Sequence, residues 1–311
     1  MSVAFNASTL FTALEIALMV VGLVLASRYQ FAKSAAEQRK CRLGRWNISG
    51  FGLLVIAFQA IVGGIIGLSL GGLVNSWLPS GISTDTAVTL MVANSGLHLG
   101  ILAGIAFGWR APETLNAWRP GRVPASATAQ TAGAEFSQTP TRVFSSSAAS
   151  SSLATPLPLV SAIKFGVITY LAALPLVTIA SLLWQGGLDL FGIPRPKQEL
   201  IDLFGHAHGF WKIFLLALMA VVVAPITEEL VFRAGIFRFV RTRLPRVFAF
   251  ALPSALFACA HINMSASVPL FVLALILSLA YERSGRVVTT IVAHGLFNLT
   301  SVVLLLAGVD R

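Results

Sequence analysis

Residues 209–233 read GFWKIFLLALMAVVVAPITEELVFR. The stretch opens as an apolar run of bilayer-spanning length, about 20 residues at roughly 1.5 Å each. It closes on two carboxylates and a guanidinium. An ionised side chain in hydrocarbon costs roughly 2.5–3.5 kcal/mol on insertion scales, so polar groups kept in such a run are candidates for function. Pro225 lacks an N–H and is expected to kink the helix just ahead of the carboxylates. Glu229 and Arg233 stand at i and i+4 with the acid first, the favourable order for a helical pair. Glu228 is turned about 100° away by the helix period and has no partner in its own helix. It is therefore the candidate general base of this stretch.

The rest of the chain repeats the apolar pattern. Of 311 residues, 56% are hydrophobic and 11% are charged, where a soluble domain averages about 25% charged. Spans are expected at roughly 9–27, 48–74, 86–108, 161–185, 209–231, 247–265, 267–282 and 287–306, an all-α polytopic transmembrane bundle of about eight spans with no β domain. The net charge of +10 does not indicate a nucleic-acid partner. Lys and Arg gather in alternate loops, for example Arg28 to Arg45, Arg238 to Arg246, and Arg283 with Arg286, while 75–85 has none. By the positive-inside rule this predicts both termini outside, and the chain is read as a multi-pass protein of the bacterial inner membrane. The first run lacks the basic flank of a secretory signal and is read as a retained helix. Cys41 and Cys259 are too few for a disulfide framework.

Residues 109–160 differ in kind. Ser, Ala, Thr and Pro dominate them, a composition that predicts a disordered cytoplasmic linker. The linker divides the chain into an N-terminal three-helix unit (1–108) and a C-terminal five-helix unit (161–306). In the second span Gly63, Gly67 and Gly71 make small-xxx-small steps, which predict close helix packing. Asn94 and His98 share a face of the third span, and an interhelical contact is expected there. His206 and His208 are read as solvated loop residues.

Two further polar clusters follow in the C-terminal unit. One is Phe257-Ala-Cys-Ala-His261, with the histidine expected well inside the sixth span and Phe257 one turn back. The other is His294-Gly-Leu-Phe-Asn298, where i, i+4 spacing puts both polar side chains on one face. Both can donate hydrogen bonds, and two convergent donors in a dry site can stabilise an oxyanion. The bland readings are a packed histidine bonded to a carbonyl and an interhelical polar contact.

Taken in order, Glu-Glu-x-x-x-Arg, Phe-x-x-x-His and His-x-x-x-Asn closely resemble the CPBP family, which includes the CAAX proteases and the Abi bacteriocin-processing or immunity proteins. Pro225, Phe232-Arg233-Ala234-Gly235 and Tyr281-Glu-Arg-Ser-Gly285 fit the same pattern, and the resemblance covers about 161–306. It implies a membrane-embedded endopeptidase acting on a peptide or protein substrate, in some members lipid-modified, in contact with membrane lipid. It implies that Glu228 and His261 activate water, that His294 and Asn298 line the oxyanion hole, and that Glu229 and Arg233 support them, with Phe257 beside them. No cofactor is favoured. The alternative is zinc held by Glu228, His261 and His294, although no His-Glu-x-x-His motif is present. Two other functions fit the polar helices: a non-enzymatic immunity or scaffold protein, and a proton-coupled transporter, although no internal repeat is evident.

Overall fold

The structure, a computed structural model, describes residues 7–31, 40–44, 46, 48–79, 82, 85–108, 155–194, 204, 207 and 209–307. The expected linker over 109–154, and His206 and His208, lie outside the described residues. The chain is all-helical: α1 (Ala7–Phe31), α2 (Gly50–Trp77), α3 (Thr86–Gly108), α4 (Leu159–Leu190), α5 (Phe210–Arg241), α6 (Arg246–Ala260), α7 (Ser267–Ser284) and α8 (Val287–Leu306). Among the described residues there is no strand. Six of these helices, α2 to α5 with α7 and α8, are long and apolar enough to cross a membrane. Many large apolar side chains are exposed, as expected where the solvent is lipid. On α2 they form a stripe of Phe51, Leu54, Phe58, Ile61, Ile65 and Leu68.

Two boundaries differ from the sequence expectation. The fifth helix was expected to end near 231 and instead continues to Arg241. It continues because Arg233 and Glu229 neutralise each other inside it. The sixth helix was expected to reach 265 and stops at Ala260. There the backbone turns over at Ile262, the one described non-glycine residue with positive φ (47°). The Asn263 side chain then accepts from the Ala266 N–H at 3.1 Å. The α6 helix is thus a 15-residue apolar helix, about 22 Å long against a hydrocarbon core of about 30 Å.

The basic ends of α5, α6 and α7 are clamped together. The buried Glu282 carboxylate accepts from Arg241 Nε at 2.7 Å and from Arg246 Nη2 at 2.9 Å. Residues 155–158, at the end of the expected linker, run straight into α4 and are pinned here too. The Leu157 N–H donates to the Ser284 carbonyl, and Arg42 Nη1 donates to the Thr155 carbonyl at 2.7 Å. Gly285 ends α7 at φ 67°, and a side chain there would meet the Arg42 carbonyl.

The glycine steps of α2 are a packing device. A Cβ at Gly67 would overlap the Gly96 carbonyl, and one at Gly63 would overlap that of Gly100; the reciprocal positions clash in the same way. Backbone thus meets backbone along the α2–α3 seam. Two polar contacts join α3 to α5. Lys212 pairs with Asp85 at one end, and Ser95 Oγ lies 3.3 Å from Met219 Sδ further along.

Candidate active site

The Thr227-Glu228-Glu229 segment sits in a short α-helical piece, Ala224–Glu229, bracketed by two π-helical segments, Met219–Val223 and Leu230–Phe237. π turns inside helices gather at functional sites. Pro225 explains what the first one exposes. The Ala224 N–H bonds to the Met219 carbonyl, five residues back. The next donor in that series would serve the Ala220 carbonyl, but it belongs to Pro225, which has none. A buried carbonyl needs a partner, and Asn298 Nδ2 supplies it at 2.8 Å. Gly295 lets α8 come this close, because a Cβ there would lie 2.7 Å from the Val221 carbonyl.

The two glutamates separate as their helical phase predicts. Glu229 is fully buried, and its Oε1 accepts from Arg233 Nη1 at 2.7 Å and from His294 Nδ1 at 2.9 Å. The Arg233 guanidinium also reaches the Ala274 carbonyl at 3.5 Å and lies 4.4 Å from the Phe257 ring centroid. Glu228 is partly buried. Its Oε2 has no hydrogen-bond partner, and His294 Nε2 stands 3.8 Å from it.

Hydrogen-bond bookkeeping fixes two tautomers. The Glu229 oxygen already accepts from an arginine, so His294 Nδ1 carries its proton and donates. Nε2 is left facing Glu228. A carbonyl can only accept, so His261 Nδ1 donates to the Phe257 carbonyl at 2.8 Å. The His261 Nε2 is then an acceptor.

Phe257 is fully buried and packs against both histidines. Its ring centroid is 4.8 Å from that of His261 and 5.8 Å from that of His294. No direct hydrogen bond or ion pair joins His261 to Glu228. His261 is not inside a spanning helix, as the sequence suggested; it is the exposed C-cap of α6. It still reaches the right depth. Glu228 lies about 20 Å along α5 from the turn after Arg241, and His261 about 22 Å along α6 from the other side of that turn. The extended α5 and the shortened α6 bring the two to one level.

Among the described residues, no three His, Cys, Asp or Glu side chains converge to hold a metal ion. Of the three residues named for the zinc alternative, Glu228 and His294 are neighbours.

Residues 210–300 match the family model described as "Type II CAAX prenyl endopeptidase Rce1-like". This segment, under a third of the chain, is similar to a CAAX-protease-family domain. The CAAX-protease segment takes in α5, α6, α7 and most of α8, and every predicted site residue from Glu228 to Asn298 falls within it. The first four helices lie outside the match. No curated protein and no solved structure matches the chain. Two contacts within the segment were not legible beforehand. The Glu229–His294 bond joins residues far apart in sequence, and no spacing rule signals it. The Asn298–Ala220 bond did have a signal, the missing N–H of Pro225.

Proposed function

We propose that the chain is an intramembrane endopeptidase whose general base is Glu228. The observation that carries this reading is the contrast between the two adjacent carboxylates. Glu229 is engaged through Oε1 by both Arg233 and His294, whereas no hydrogen bond reaches the Glu228 Oε2 that faces a histidine nitrogen. Leaving a buried carboxylate oxygen without a donor is costly, and a water or a substrate group recovers that cost.

In the proposed reaction a water donates a proton to Glu228 and hydrogen-bonds to the His261 Nε2 acceptor. Its oxygen attacks the scissile carbonyl carbon. The resulting oxyanion is held by the second N–H of Asn298 Nδ2, with the His294 ring lining the same hole. Glu228 then passes the proton to the leaving nitrogen as the C–N bond breaks. Arg233 and Phe257 take no proton; they hold Glu229 and the two imidazoles in place. The Glu229–His294 bond fixes the imidazole tautomer and ring orientation, as a carboxylate does for a catalytic histidine elsewhere.

The substrate is read as a peptide near its C-terminus, prenylated where the host makes such proteins. The N-terminus is read as outside on the distribution of Lys and Arg, and the membrane as a bacterial inner membrane. The catalytic unit is assigned to 161–306. Comparative C-terminal peptide analysis of membranes carrying the wild type or Glu228→Gln tests the activity. Peptides extended at their C-termini should accumulate with the variant at equal protein levels. Identical peptide populations from the two membranes would sink the reading.

A further inference from the structure

The polar groups around Glu228 do not all come from the CAAX-protease segment. His98, on α3, is partly buried, and its Nδ1 is buried with no hydrogen-bond partner. The spacing of Asn94 and His98 suggested an interhelical contact. Asn94 is exposed instead, and only His98 turns inward. The contacts along α3 and α5 show where it goes. Asp85 pairs with Lys212, Ser95 meets Met219, and α3 packs against the Ala224–Glu229 piece of α5 that carries Glu228, so that His98 and Glu228 interact electrostatically across this seam. The numbers rise together on both helices, so α3 and α5 run in the same direction. His98 follows Ser95 by one helical turn and shares its α5-facing side.

Two buried polar atoms without partners, Nδ1 of His98 and Oε2 of Glu228, therefore belong to residues that interact across this seam. Such atoms are rarely left empty in a folded protein. One water between them satisfies both, as a donor to the carboxylate and either donor or acceptor to the imidazole. Resting on the reading of Glu228 as the base, we propose that His98 is a positioning residue for the hydrolytic water, supplied to the site by the N-terminal helices. On this view α3 is a wall of the active site, and the catalytic unit extends beyond the segment that matches the family. The glycine seam has a role in it, because α2 supports α3 where it leans on α5.

The test uses the full chain with Cys41→Ser and Cys259→Ser. The first arm reads placement. His98→Cys with Glu228→Cys should cross-link with a short thiol reagent in membranes, while Asn94→Cys with Glu228→Cys should not. Equal yields for the two pairs would overturn the proposal. The second arm reads turnover of a farnesylated CAAX peptide by purified protein with the native His98 and its variants. His98→Leu should lower kcat about tenfold, the worth of one lost hydrogen bond to a charged group, with KM unchanged within a factor of two. His98→Asn, which keeps a polar atom near the position of Nδ1, should recover most of that loss. Equal losses in both variants, or a loss carried by KM, would also overturn it, since a packing role predicts no rescue by Asn. A wild type that leaves the peptide uncut, behaving as Glu228→Gln does, would count against the hydrolytic reading instead, and the cross-link would still decide where His98 sits.

Discussion

Arg233 and Glu229 form an ion pair with 1% and 0% of their side chains exposed. A pair this deep is tolerated only when its remaining valences are filled. Here His294, the Ala274 carbonyl and the Phe257 face fill most of them, while Glu229 Oε2 has no hydrogen-bond partner. Removing one partner leaves an uncompensated buried charge. Arg233→Ala should therefore destabilise the fold by about 3–5 kcal/mol. Thermal unfolding in detergent measures it, and a melting temperature unchanged from wild type would refute the pair's structural role. Spacing alone made this pair legible, since i and i+4 face each other on any helix. Spacing did not reveal that His294 would be the third member, because that contact depends on how α8 crosses α5.

At the scale of elements, the informative features are departures from regular helix. Pro225 and the π turn before it free the Ala220 carbonyl, and Asn298 is anchored by it. Replacing the proline restores an N–H. Pro225→Ala should let the helix close on itself and deprive Asn298 of its acceptor. Proline in a helix interior costs about 3 kcal/mol relative to alanine, so the variant should unfold at a higher temperature while cleaving at least about tenfold more slowly. A variant that is both more stable and fully active would show that the π turn has no part in the site. Helix existence was legible throughout, because apolar length at membrane depth leaves the backbone no other choice. Helix ends were not. The α5 helix passes through its charged residues because they neutralise one another. The α6 helix stops early because Asn263 and a left-handed turn at Ile262 end it.

Across the whole molecule, the N-terminal helices and the CAAX-protease segment meet along α3 and α5. The basic ends of α5, α6 and α7 are locked on Glu282. That lock sets a common depth for Glu228 and His261, which the sequence could not supply because it depends on the true lengths of α5 and α6. The glycines of α2 announced close packing, and their partners Gly96 and Gly100 became evident only when the two helices were seen together. The central claim is that one carboxylate of this assembly, Glu228, abstracts the proton of the attacking water. The direct measurement is kcat for a farnesylated CAAX peptide cleaved by purified full-length protein in lipid nanodiscs, wild type against Glu228→Gln, at matched folding. General-base catalysis contributes about 10²–10⁴ in rate. The account predicts a loss of at least about a hundredfold in the glutamine variant, and a variant within a few-fold of wild type would contradict it.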